Sequence, residues 1–332
     1  MTNFRLLLIL WGILGWVAAA AQQDPMFTNY HFNALVFNPA YAGSNEHLTL
    51  NIAHRQQWLG FDGAPITQTL TAHTPLRNER VGVGFALTND KIGPGGSTDL
   101  AASYAYRMQV GPSKKYKLSI GLQAGVANWR GKFSTITVED INDPSFAQNQ
   151  SRWLPNFGAG AYLYGEKFYL GLGCPSILEH DLRKTKNDTE GLFAKNYRNL
   201  YLTTGAAFPL QGGQLVFRPS LLVQNAGFLS DVKSEAPGQN IGAPMSANLG
   251  AAVLFRQLFW AGTSYRTALS GKSSHDSANF WFAWSLRNGM RFGASYDITL
   301  SKIRTASSNS FEIMLGYEFD VKVKQVTSPR YF

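Results

Sequence analysis

Six histidines, one cysteine and scattered acids are the residues of this chain that could bind a metal or carry a proton. His31, His47, His54, His73, His180 and His275 never fall at the i, i+3 or i, i+4 spacing that sets two imidazoles on one helix face. None pairs with Cys174 in a metal-ligand spacing. A single thiol cannot form a disulfide within the chain, and Cys174 sits too far from the start to carry a lipid anchor, so it reads as a small packed side chain. Two acidic groups, Glu139-Asp140 with Asp143 and Glu179 with Asp181, could offer oxygens to calcium, but neither matches a calcium-loop spacing. There is no Gly-x-Ser-x-Gly elbow and no P-loop. Gly82-Val83-Gly84 lies inside a strand-like run, where glycine suits close packing. The expectation is no catalytic residue, no cofactor, no metal and no enzyme.

The elements that would position any site are strands. Charged residues are 15% of the 332, low against ~25% for soluble domains. The formal charge of +9 is spread out. Its densest cluster, Lys114-Lys115-Tyr116-Lys117, is flanked by strand-like sequence and reads as a solvated turn, not as a nucleic-acid site. Arg5, an apolar run over residues 6–17 and the small residues 18–21 form a secretory signal, with cleavage expected after Ala21. Beyond it no apolar run approaches the ~18 residues of a spanning helix, so any spanning structure must be a closed barrel.

Period-two alternation runs through the body. Phe311, Ile313, Leu315, Tyr317 and Phe319 share one face, with Glu312, Met314, Gly316 and Glu318 on the other. Leu100, Ala102, Tyr104, Tyr106 and Met108 alternate in the same way with small and polar residues, as do Phe280, Phe282 and Trp284. The apolar segments are ~9–12 residues long, a length that crosses a bilayer when tilted. Aromatics gather near segment ends, at Tyr104 and Tyr106, Tyr162 and Tyr164, and Tyr317 and Phe319, as at a membrane interface. This predicts an all-β fold: a transmembrane antiparallel β-barrel of about fourteen strands over residues 44–332, in contact with membrane lipids, following signal peptide 1–21. Short turns are expected in the periplasm and long loops, notably 128–154 and 175–197, outside. The terminal Phe332 is expected to act as an assembly signal.

Residues 22–43 lack the alternation. Asn38-Pro39-Ala40-Tyr41-Ala42-Gly43 carries turn formers. The segment is expected on the periplasmic side, either as a plug shielding the lumen or as a docking strip in which Asn38, Pro39, Tyr41 and Gly43 meet a partner. On the long loops, Trp129, Arg130, Trp153, Phe193, Tyr197 and Arg198 are candidate anchors for a partner protein, because aromatics and arginines tend to dominate interfaces. The alternative for each ring is the lipid interface.

Gln23-Asp24-Pro25-Met26-Phe27, Tyr30, Asn33, the 38–43 motif and Arg55-Gln56-Gln57-Trp58-Leu59-Gly60-Phe61-Asp62-Gly63-Ala64-Pro65 resemble the opening of the PorP/SprF family of the type IX secretion system of Bacteroidetes. Thr67-Gln68-Thr69-Leu70, His73-Thr74-Pro75-Leu76, Asn89-Asp90-Lys91-Ile92-Gly93-Pro94, Tyr104-Ala105-Tyr106 and Phe168-Tyr169-Leu170-Gly171-Leu172-Gly173 continue the likeness. Cys174-Pro175-Ser176 departs from a Val-Pro-His-like stretch of the family. The resemblance implies an outer-membrane barrel in protein secretion. Some relatives assist export and surface attachment of adhesins with C-terminal sorting domains, and others associate with the periplasmic ring of the secretion and gliding machinery. A small-solute porin is the rival, with Arg107, Arg218, Arg256, Arg266 and Arg287 as inward-facing candidates.

Overall fold

The computed structural model describes residues 27–45, 47–77, 79–112, 115–132, 134, 149–181, 195–229, 245–269, 275–305 and 309–319. Their strands are β1 (Leu48–Gln56), β2 (Ile66–Pro75), β3 (Val81–Ile92), β4 (Gly95–Val110), β5 (Tyr116–Gly131), β6 (Gln150–Tyr164) and β7 (Phe168–Cys174). Then follow β8 (Asn199–Ala206, resumed as Phe208–Leu210), β9 (Leu215–Ala226), β10 (Ser246–Phe255), β11 (Phe259–Ala268), β12 (His275–Ser285), β13 (Met290–Thr299) and β14 (Ser310–Phe319). Each pairs antiparallel with the next, and β14 closes on β1 from Leu48↔Phe319 to Gln56↔Phe311. The result is a closed fourteen-stranded barrel. Closure leaves no sheet edge, which hydrocarbon requires because an unpaired backbone group there costs several kcal/mol. Among the described residues no helix is long and apolar enough to cross a membrane.

The alternation fixes which face is which. Ile52, Leu122, Phe280 and Phe282 are more than half exposed on the outer surface. Thr49, Asn51, Arg55, Thr71, Asn279, Asp297 and Glu312 are buried on the inner one. Apolar outside and polar inside is the pattern of an outer-membrane barrel. Rings mark the short-turn rim: Phe259 stacks on Trp284 at 5.8 Å, and Tyr317 meets Phe319 edge-on at 4.6 Å. Tyr162 and Tyr164 correct the expected belt. Their parity on β6 points them into the lumen, where Tyr162 is buried and stacks on Tyr164 at 5.0 Å.

Short turns, such as that between Phe255 and Phe259, lie at one end; the longer connections lie at the other, together with the two-residue turn between Ile92 and Gly95, which the sequence reads as a longer loop. The expected loop 128–154 is shorter than the sequence suggests. β5 runs to Gly131 and β6 begins at Gln150, in unbroken register through Asn128↔Trp153 and Gly131↔Gln150. Within the expected loop 175–197, His180–Asp181 pairs with Lys195–Asn196 as a small ribbon.

Candidate functional site

Residues 27–45 thread the lumen from the long-loop end, where Thr28 meets Arg55 and Glu312, to the short-turn end, where Gly43 meets His73. Three single-turn 3-10 helices, Tyr30–Phe32, Ala34–Val36 and Pro39–Tyr41, keep the segment compact. Asn38 starts the third. Its Oδ1 accepts the Ala40 N–H at 2.9 Å and its Nδ2 donates to the Ala161 carbonyl at 2.9 Å, while Pro39 takes the first helical position.

The wall is shaped to this path. Inward positions on β3, β5, β6 and β7 are glycines where the plug backbone presses. A Cβ on Gly121 would stand 2.3 Å from the Ala40 nitrogen, and one on Gly173 would stand 2.2 Å from the Phe37 oxygen. Gly82 against the Ala42 carbonyl repeats the arrangement, and Gly160 makes room for the Asn38 side chain. On the opposite wall the plug meets rings. Phe32 packs edge-on against Trp260 and Trp281, each at 5.7 Å, and the Arg291 guanidinium lies 5.0 Å from the Phe32 ring centre.

Polar contacts fix its register. Asn33 donates to Thr69 and accepts from Thr71, both at 3.0 Å. At the long-loop end, the Arg55 guanidinium meets Asp297 at 2.5 Å and Glu312 at 3.4 Å. It also donates to the Thr28 hydroxyl at 2.7 Å. The Thr28 hydroxyl in turn bonds Asp297 at 2.8 Å, and the Thr28 N–H donates to Glu312 at 2.9 Å. Three buried charges are thus tied to one another and to the plug, which is what makes their burial tolerable.

At the middle of the segment, Tyr30 donates to Ser220 at 3.0 Å, and Ser220 stands 3.4 Å from His31 Nε2. Burial, reinforced by the Arg218 charge, pushes the His31 imidazole down to about 3. Burial likewise raises the Tyr30 and Tyr41 phenols. The folded state therefore holds His31 neutral while an unfolded chain protonates it near pH ~6.5. Its effect is absent above that pH, and stability falls as pH drops from there towards 3. We expect the melting temperature of detergent-solubilised protein to fall between pH 7 and pH 5, and His31→Gln to flatten that slope. Equal slopes in the two proteins would show that His31 protonation plays no part.

Above the plug, at the long-loop end, a cavity of about 180 Å³ is floored by Phe27 and Phe37 and walled by Trp129, Tyr201, Asp90 and Asp99. Among the described residues no cluster of three or more His, Cys, Asp or Glu is arranged to hold a metal.

The candidates read from sequence separate into groups. Asn38, Pro39 and Gly43 are buried and Tyr41 half-buried, all against the barrel wall. Gly43 has a φ of +67° and donates its N–H to His73 Nδ1 at 3.2 Å. These residues are plug contacts and are not presented to a partner in this structure. Trp129 and Arg130 stand on β5, not in a loop: Trp129 lines the cavity, while Arg130 is exposed outside and donates to Thr98 at 2.6 Å. Trp153, on β6, is 70% exposed on the outer face. Tyr197 and Arg198 are half-buried, and Arg198 bonds the Ile177 carbonyl at 2.8 Å. Phe193, Phe332 and the expected signal peptide lie outside the described residues. Of the candidate lumen arginines, Arg107, Arg218 and Arg266 are buried inside, whereas Arg256 and Arg287 sit exposed in short turns. Sequence reasoning missed Thr28, Asp90, Asp99, Asp297 and Glu312. Only their inward parity marks the four acids, and Thr28 carries no periodic signal.

No curated protein matches the chain. Among solved structures, the monoaromatic hydrocarbon channel CymD is 12% identical, with 92% of this chain and 95% of that one covered at a TM-score of 0.48. Omp33 of Acinetobacter baumannii is 7% identical, with 82% and 98% covered at 0.46. A Pseudomonas aeruginosa FadL homologue is 12% identical, with 91% and 96% covered at 0.44. The family model described as type IX secretion system membrane protein PorP/SprF matches residues 19–317. A polar-lined, apolar-skinned barrel and a match over most of its length make this chain an outer-membrane β-barrel that belongs to the PorP/SprF family of type IX secretion membrane proteins.

Proposed function

We propose that this barrel is a non-enzymatic docking frame of the type IX secretion system, holding an exported protein with a C-terminal sorting domain at the cell surface. One observation carries the reading: residues 27–45 fill the lumen, so the wall serves to hold a plug and what stands above it. A small-solute porin would need the cross-section that the plug occupies. The family match supports work with secretion machinery and its cargo in general. The choice of cargo over the periplasmic ring rests on geometry. The 38–43 strip is buried, while the long-loop end offers a concave surface.

Deleting the gene tests this. Large proteins bearing C-terminal sorting domains should disappear from the cell surface or accumulate in the medium, and small-solute uptake should be unchanged. Wild-type surface levels of all of them, with reduced solute uptake, would replace the secretion reading with the porin.

A further inference from the structure

We infer that the long-loop cavity is a socket for one basic side chain, arginine or lysine, of a protein segment entering from the cell surface; this deepens the docking reading and rests on it.

Three features select that ligand. The floor and one wall are aromatic. Phe27 and Phe37 meet edge-on at 5.6 Å, Phe37 lies 5.0 Å from Tyr201, and Trp129 lines the cavity from β5, opposite Ser97 in register. At about 180 Å³ the space suits one side chain and excludes a folded domain. The remaining wall carries two carboxylates. Asp90 and Asp99 point inward from neighbouring strands, with Thr88↔Asp99 and Asp90↔Ser97 in register.

Among the described residues each carboxylate accepts a side-chain hydrogen bond on one oxygen. Thr67 donates to Asp90 at 2.5 Å and Ser97 donates to Asp99. Among the described residues no cation pairs with either. This separates them from Asp297 and Glu312, the lumen acids that share Arg55. Two like charges side by side, half out of water, in a chain of formal charge +9, are a local reversal of sign. A guanidinium or ammonium on an apolar stem satisfies both halves of the cavity. Its stem covers the rings, its charge meets the carboxylates, and an arginine plane can lie on an indole face. A small anion fits neither half. A bare divalent cation would leave the aromatic half unused.

The test uses the detergent-solubilised full chain and two fluorescently labelled, blocked hexapeptides. They are identical apart from a central arginine or citrulline, which has nearly the same shape without the charge. Anisotropy titrations should show the arginine peptide binding about tenfold or more tightly, since an uncompensated charge pair governs dissociation. Asp90→Asn with Asp99→Asn should erase the difference, and each single variant should reduce it, while heat-modifiable gel migration stays as in wild type. Equal affinity for the two peptides, or binding of neither, overturns the socket. So does calcium alone raising the melting temperature of wild type but not of the double variant, with the arginine peptide unbound, which would make the pair a metal site. The peptide result is independent of secretion. A discriminating socket in a strain whose gene deletion leaves cargo at the surface would sink the docking reading and keep the socket.

Discussion

Removing residues 27–42 is expected to turn a sealed barrel into a steady channel. That segment is held against the inner wall along its length, from Thr28 at the Arg55 cluster to Ala42 at Gly82. The wall without it mixes rings such as Trp260 and Trp281 with polar residues, and it leaves Arg107, Arg218 and Arg266 facing the opened lumen. The strands themselves are held by one another and by their apolar outer face, so the barrel has its own reason to persist. Barrels only slightly wider, with 16–18 strands, leave an aqueous channel. In planar bilayers the truncated chain should conduct about tenfold or more above the full chain. Gly121→Leu and Gly173→Leu, which drive a side chain into the Ala40 and Phe37 backbone, should raise conductance part of the way. Unboiled samples should still migrate faster than boiled ones, showing that the barrel is intact. Equal conductance of full and truncated chains would mean that the plug does not seal the lumen, and the argument against a porin would lose its basis.

What the sequence discloses and what it hides follow from the range of the signals. Strand number and facing are local: Phe280, Phe282 and Trp284 declare an outward face by their two-residue spacing alone. The lumen is built from pairings hundreds of positions apart, such as Arg55 with Asp297 and Glu312, and one sequence holds no record of them. The plug is similarly silent. Gly82, Gly121, Gly160 and Gly173 look like residues that weaken strands until the plug atoms pressed against them are known. Tyr162 and Tyr164 mislead for a related reason, since an aromatic near a strand end suits the lipid interface and the lumen equally. Only the parity shared with Gly160 turns them inward, where Tyr41 packs edge-on against Tyr162 at 5.4 Å. Trp129 and Trp153 were legible as notable rings. Their separation, one into the cavity and one onto the outer face, needed the true extent of β5 and β6.

Arg55→Ala should be the most damaging single change in the lumen. Arg55 is 1% exposed and bridges Asp297, Glu312 and the Thr28 hydroxyl. It joins β1 to β13 and β14 as well as to the plug. Truncating it leaves two carboxylates buried together with no cation, a loss on the order of 3–5 kcal/mol. Lysine keeps the charge but has no planar fork to span two carboxylates and a hydroxyl, so Arg55→Lys should lie between wild type and alanine. The informative comparison is a third protein. Arg55→Met with Asp297→Asn and Glu312→Gln removes all three charges, and it should recover most of the lost stability, because the cost lies in the unpaired charges more than in the missing bridge. Thermal melting in detergent gives the ranking. Limited proteolysis reports the plug directly: cleavage near Thr28 and Asn29 should accelerate in the alanine variant before the barrel melts, since the Thr28 and Asn29 N–H groups both rest on Glu312. An alanine variant with wild-type melting and unchanged cleavage would mean that the cluster neither latches the plug nor braces the β1–β14 seam.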